Sequence, residues 1–169
     1  TPEQRLVVED ILHRVQNDGD QALVELTKEF DQYDLQQFRV SDSEIDEAYN
    51  SVDKQFLDAL KQASQNIREF HEKQRRLSWM DLQPDGSLLG QVIRPLERVG
   101  LYVPGGKAAY PSSVLMNVIP AQVAGVKEMA MTTPPATAGV PGINASILVA
   151  AAELGVREIY KVGGAQAIA

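Results

Sequence analysis

Two glycine runs are the parts of this 169-residue sequence best suited to seating a ligand: Val103-Pro-Gly-Gly-Lys107 and Val162-Gly-Gly-Ala-Gln166. Each follows a stretch that reads as a β-strand, and in open parallel sheets ligands bind at the carboxyl ends of strands. A residue without a Cβ lets backbone N–H groups come close to a phosphate or a ribose. Neither run spells G-x-G-x-x-G or a Walker phosphate loop, so on spacing alone tight turns are the better explanation of the glycines. Three side chains beside them could add chemistry. Tyr102 closes the first of those strands and could stack on a ligand or hydrogen-bond to it, or be a half-buried strand aromatic. Gln166 stands at a helix start, where an amide reaches ligand hydroxyls, and a surface glutamine is the equally plain reading. Lys107 could meet a phosphate or simply stay solvated.

Other reactive residue types lack partners. His13 and His71 are the only histidines, each on an amphipathic helical stretch, and there is no cysteine. A zinc site needs three or four placed ligands, and neither histidine has a second one at metal-ligand spacing. The acidic loop Asp31–Asp34 lacks the glycine and the terminal glutamate of a calcium hand. Ser112-Ser113 has no base in the same half of the sequence, so a helix-capping role is simpler than a nucleophilic one. The sequence therefore offers no catalytic residue and no metal ligand, and two candidate ligand contacts, Tyr102 and Gln166.

Bulk properties narrow the class. The net charge is -7 and the isoelectric point about 4.8, whereas a nucleic-acid binder needs a basic stripe to neutralise phosphates. No apolar run approaches the roughly 20 residues that span a bilayer, and the first residues do not resemble a secretory signal. The absence of cysteine excludes a disulfide scaffold and fits a cytoplasmic protein. Neither nucleic acid nor membrane is an expected partner.

The elements that must position these residues change character near the middle. Residues 1–97 are polar and mostly helical. Thr1, Pro2 and Gln4 make a capping box for a first helix with Val8, Ile11, Leu12 and Val15 on one face. Asn17-Asp18-Gly19 ends it, and Asp20 opens a second helix with Leu23, Leu26 and Phe30 inward. Ser41 and Glu44 form another capping box. From about Asp53 a long helix carries Phe56, Leu57, Leu60, Ile67 and Phe70 and ends near Lys73, Arg75 and Arg76. A turn at 82–87 then precedes a strand at Leu88–Ile93, so this half ends in a hairpin.

Residues 98–169 are poor in charge and rich in Gly, Ala, Val and Pro. Arg98–Val103 reads as a strand and Ser112 or Ser113 as the start of a helix to about Ala124, kinked at Pro120. Glu128–Thr132 is a second strand, Thr133–Gly142 a loop, Ile143–Leu154 a helix, Glu158–Val162 a third strand, and a new helix follows Gly164. Alternating strands and helices give an α/β fold: a helical N-terminal segment followed by an incomplete Rossmann-like parallel sheet. Because the last helix has barely begun at Ala169, the sequence reads as a fragment.

The string Val99-Gly-Leu-Tyr-Val-Pro-Gly-Gly106, followed by Tyr110-Pro-Ser-Ser-Val-Leu-Met116, Pro120-Ala-Gln-Val-Ala-Gly125 and Val162-Gly-Gly-Ala-Gln-Ala-Ile-Ala169, closely resembles the histidinol dehydrogenase family. The resemblance covers essentially the whole sequence, and the loop 133–142 is its one departure, being longer than in some members. It implies an NAD-dependent, zinc-requiring enzyme of histidine biosynthesis that oxidises L-histidinol to L-histidine through the aldehyde. It assigns NAD contacts to Tyr102 and Gln166. The zinc ligands and the Glu-His pair for proton transfer would lie outside this sequence, leaving the chain alone inactive. The family architecture implies an intertwined homodimer of two-domain subunits, with residues 1–97 in the first α/β domain and 98–169 beginning the second. A paralogue acting on another alcohol, such as a sulfonated diol, and a non-catalytic nucleotide-fold module are the competing readings.

Overall fold

A computed structural model describes residues 1–105, 108–137 and 140–169. Helix α1 (Pro2–Asp18) starts where the Thr1 hydroxyl accepts from the Gln4 amide at 3.4 Å, and the Gln4 side chain accepts from the Thr1 ammonium at 2.8 Å. Gly19, at φ 54° and ψ -128°, ends α1 and opens α2 (Asp20–Asp31). Helix α3 (Asp42–Ser51) has the second capping box: Glu44 N–H donates to Ser41 Oγ at 3.3 Å and Ser41 N–H to Glu44 Oε2 at 2.9 Å. Helix α4 (Lys54–Glu72) is capped by Asp53, which accepts from the Phe56 amide at 2.6 Å. Helices α1 and α3 begin at the capping boxes read from the sequence, whereas α2 starts after Gly19 with no side-chain cap.

Strands β1 (Trp79–Leu82) and β2 (Leu88–Gln91) form the expected antiparallel hairpin. Strand β3 (Arg98–Tyr102), helix α5 (Pro111–Ala124), strand β4 (Glu128–Thr132), the two-residue strands β5 (Ala136–Thr137) and β6 (Val140–Pro141), helix α6 (Ala145–Glu153) and strand β7 (Glu158–Tyr160) follow. The main sheet is parallel, in the order β3-β4-β7. Helix α5 joins β3 to β4 and α6 lies between β4 and β7, the expected βαβ rhythm.

One core runs through both halves of the sequence. Val114, Val118 and Ile119 of α5, Ile147 and Val149 of α6, and Met131 and Ile159 of the sheet are buried together with Ile45 of α3 and Leu60 of α4. Burial of each such side chain stabilises the fold by about 1.5–3 kcal/mol. Helices α4 and α3 pack on α5 and α6 respectively, so the helical segment forms an outer layer over the βαβ helices. A smaller cluster of Ile11, Ala22 and Leu26, with Val15 and Ala165 against it, joins α1 and α2 to the last turn of the chain.

The structure differs from the sequence reading in five places. Val8 and Leu12, assigned to the inner face of α1, are 41% and 43% exposed, because α1 packs on α2 and the final turn and on little else. Phe30 and Phe70, expected inward, are likewise exposed. Helix α5 begins at Pro111 rather than at either serine; a proline fits the first helical position because its missing N–H would have no helical partner. The loop 133–142 contains the β5–β6 ladder. The helix expected after Gly164 is a single 3-10 turn, Ala165–Ala167, with i to i+3 bonds from Ala167 N–H to Gly164 O at 3.3 Å and from Ile168 N–H to Ala165 O at 3.1 Å.

A further strand-like segment had no clear signal in the sequence. Val40 N–H donates to Ile159 O at 2.9 Å and Lys161 N–H to Phe38 O at 2.7 Å, with Arg39 bridged antiparallel to Tyr160. The segment Phe38–Val40 thus covers the outer edge of β7.

Candidate functional site

The register of the main sheet aligns Tyr102 of β3 with Thr132 of β4 and Tyr160 of β7. These three residues form a row at the carboxyl edge, and the chain beyond each enters a loop. Hydrogen bonds continue past the row: Val103 N–H donates to Thr132 O at 2.9 Å and Thr133 N–H to Tyr160 O at 3.1 Å. The Thr132 hydroxyl donates to Val162 O, and Asn117 of α5 reaches back to Tyr102 O at 3.3 Å. The first residues of all three loops are therefore held by the sheet.

The glycines at this edge have different physical reasons. Gly164 sits at φ 66° and ψ -165°, a region essentially closed to residues with a side chain. Gly163 has no positive φ, but a Cβ there would lie 2.4 Å from Pro134 Cγ. A Cβ on Gly105 would lie 3.2 Å from Pro134 Cδ. The two glycine loops thus meet on opposite sides of the buried Pro134 ring.

Tyr102 and Gln166, the two residues singled out in the sequence, come together here. The Tyr102 hydroxyl accepts from the Gly164 amide at 3.2 Å. Gln166 is only 3% exposed, and neither amide atom has a hydrogen-bond partner. An unpaired buried polar group costs about 1–3 kcal/mol, so this amide is a donor and acceptor awaiting a polar partner. Adjoining it is a cleft of about 390 Å³ lined by Val15, Asp20, Leu23, Phe38, Tyr160 and Gln166 among others. A second cleft of about 360 Å³ runs along Tyr102, Thr132 and Tyr160 on the sheet. Both fall in the size range of small-molecule sites. Lys107 and Gly106 lie outside the described residues.

Behind the third loop is a part-buried ion pair. Lys161 Nζ donates to both carboxylate oxygens of Glu44, at 2.9 and 3.2 Å, and the lysine side chain is 8% exposed. Burial pushes the Glu44 carboxyl up, but the Ser41 amide, the Lys161 ammonium and the Ser41 hydroxyl outweigh it and hold it below its usual value. This pair fastens the start of α3 to the residue just before Val162-Gly163-Gly164.

Metal chemistry finds no home among the described residues, where no three His, Cys, Asp or Glu side chains cluster. The His71 ring Nδ1 lies 2.8 Å from Gln74 Oε1 at the end of α4, and His13 lies on α1. Pro134 was not legible as a site residue, since Pro134-Pro135 reads as loop punctuation. Asp20 was legible only as a helix start. Nothing next to Pro134 in the sequence beyond its place two residues after a strand could have singled it out.

The histidinol dehydrogenase family model matches residues 2–169. The chain belongs to the histidinol dehydrogenase family. It is 56% identical to histidinol dehydrogenase of Halalkalibacterium halodurans over 169 residues, which is 100% of this chain and 39% of that protein. Against histidinol dehydrogenase of Geobacillus kaustophilus the identity is 54%, again over 100% of this chain and 39% of the relative. The fold superposes on a crystal structure of histidinol dehydrogenase from Elizabethkingia anophelis with TM-score 0.90 and 38% identity, covering 97% of this chain and 37% of that one. The chain therefore spans about 39% of the length of these relatives. The family resemblance and the α/β class read from the motifs both hold. Among the described residues no helix is long and apolar enough to cross a membrane.

Proposed function

We propose that this chain supplies part of the NAD seat of a zinc-requiring enzyme that oxidises L-histidinol to L-histidine through the aldehyde, in the cytoplasm. The observation that carries the NAD reading is Gln166: its amide is buried, unpaired and set beside Gly163 and Gly164 at the carboxyl edge of a parallel sheet. The cofactor, when bound, would supply the hydride acceptor, one NAD molecule for each of the two successive two-electron oxidations. Tyr102 offers a ring face and a hydroxyl, and Gln166 offers an amide that can both donate to and accept from ribose hydroxyls or a carboxamide. Gly163 and Gly164 let backbone come close to the ligand. Residues 98–169 hold this seat, with residues 1–97 packed against them.

Zinc stands apart, since the described residues offer no set of three ligands to hold it. A homodimer is the proposed assembly, supported by the apolar side chains that β1 and β2 leave exposed on both faces.

The test is made in a full-length protein carrying this chain. NADH formation with L-histidinol, lost in Gln166→Ala through a higher KM for NAD, supports the reading. A Gln166→Ala variant with parental NAD dependence would defeat the site assignment. Turnover of a sulfonated diol but not histidinol would favour the paralogue, and binding of NAD without turnover of either alcohol would favour a non-catalytic module.

A further inference from the structure

We infer that Pro134 is a positioning residue: its ring sets the separation of the two glycine loops and so the width of the cofactor seat. This rests on the NAD reading above. The loop after β4 is the middle of three, with the loop of β3 on one side and that of β7 on the other. A Cβ at Gly163 would sit 2.4, 2.8 and 3.0 Å from Pro134 Cγ, Cβ and Cα, and one at Gly105 would sit 3.2–3.4 Å from Cδ, Cγ and Cβ. Carbon atoms in contact prefer roughly 3.5–4.0 Å. The ring therefore fills the space on both sides that a side chain would take, and neither loop can close further while it is there.

A proline suits this task because its ring is locked to the backbone, with φ held near about -65°. It has no side-chain rotamers through which the two loops could drift. The backbone around it is also held. Thr133 N–H donates to Tyr160 O at 3.1 Å on one side, and Pro135 O accepts from Gly142 N–H at 2.7 Å on the other. Pro134 is buried. The Gly105 and Gly163 backbones have no positive φ, so their lack of a side chain answers to this ring and not to an unusual conformation. Ligands in such sheets lie in the crevice between the loops, so their spacing governs what fits there.

The test is a reciprocal rescue in the full-length protein carrying this chain. Pro134→Ala removes Cγ and Cδ, lets the loops approach, and should raise KM for NAD by roughly tenfold, about 1.4 kcal/mol. Gly105→Ala pushes the loops apart and should raise KM in the same direction. In Gly105→Ala/Pro134→Ala the new methyl occupies the space left by the ring carbons, so KM should fall below that of either single variant. The unfolding midpoint without NAD should show the same rescue. A general loss of structure would instead lower kcat through fewer active molecules, and the two losses would add. Additive losses, or a Pro134→Ala variant with parental KM, would overturn the proposal. Failure of the NAD reading is recognised separately: the parent protein itself would then turn over without any dependence on NAD, and the proposal would fall with it.

Discussion

The Tyr102 hydroxyl accepts a hydrogen bond from the Gly164 amide, joining the end of β3 to the loop after β7 across the whole width of the parallel sheet. Tyr102→Phe keeps the ring and removes that acceptor. A hydrogen bond of this kind contributes about 1 kcal/mol, so KM for NAD should rise about fivefold. Tyr102→Ala also loses the aromatic contact and should cost roughly 1–2 kcal/mol. Equal affinities for NAD in the parent and both variants, measured by titration, would remove Tyr102 from the site.

Gly164→Ala should be worse than either. Its backbone conformation costs a residue with a side chain about 1–3 kcal/mol, and the added Cβ would lie 2.5 Å from Gln166 Oε1. A loss near 2 kcal/mol corresponds to roughly 4–8 °C in a domain of this size. Calorimetry reads the shift, and a midpoint within a degree of the parent would show that the loop relaxes freely.

Glu44→Gln should destabilise the chain by about 2–3 kcal/mol, less than the 3–5 kcal/mol of a fully buried pair because the Glu44 side chain is 38% exposed. The sign with pH follows from its lowered folded pKa. Its contribution is complete above the unfolded carboxyl value near about 4.3, and it is lost as pH falls through the lower folded value. Urea unfolding of parent and variant should therefore converge in strong acid and differ at pH 7.

Asp31 has the opposite behaviour. Burial raises its pKa, its Oδ2 has no partner, and it is the last residue of α2, where the helix dipole disfavours a negative charge. Ionisation therefore costs stability as pH rises through the folded value. Asp31→Asn should gain about 0.5 kcal/mol at pH 7, kept small by the screening of a partly exposed group. The gain should vanish below the unfolded carboxyl value. A gain that persists unchanged in acid would point to hydrogen bonding by the new amide.

The β1–β2 hairpin should drive association. Trp79, Met80, Leu82, Leu88 and Leu89 are between 54% and 71% exposed. The pair Leu82–Leu88 lies on one face and Asp81–Leu89 on the other, so neither face is solely polar. Exposed apolar patches of this kind mark interaction surfaces. The 169-residue chain should scatter light as an oligomer that Leu82→Ser/Leu89→Ser shifts toward monomer. A parent chain that stays monomeric at high concentration would contradict this.

Local chemistry was legible and long-range closure was not. Thr1–Gln4, Ser41–Glu44 and Asp53 announce their helices because caps act within a few residues. Tyr102 and Gln166 were legible because each stands beside a glycine run after an apolar strand. The contact between Phe38–Val40 and β7 is set by tertiary pairing, and the run Gln36-Gln37-Phe38-Arg39-Val40 has no turn or alternation strong enough to show it. Pro134 was hidden for a related reason: its importance lies in two glycines distant in sequence, and nothing next to it records them. Val8 and Leu12 show the reverse error, since a helical apolar stripe states which face wants a partner and not whether the chain provides one.

The clasp between Val40 and Ile159 also dictates when the protein can become itself. The two residues are far apart in sequence, and closing a flexible loop of about 120 residues costs roughly 4 kcal/mol of chain entropy. As the polypeptide emerges from the ribosome, α1 to α4 appear first, and the strand that receives the 38–40 segment follows only after α5 and α6 have been made. Until then the early helices have only one another to lean on. The apolar faces of α3 and α4 stay wet until α5 and α6 arrive. Delayed, non-local pairing of this kind slows folding and prolongs exposure to aggregation. A slower translation rate over residues 111–160 should therefore lengthen the period in which a chaperone is needed, whereas the same pause after Ala169 should not.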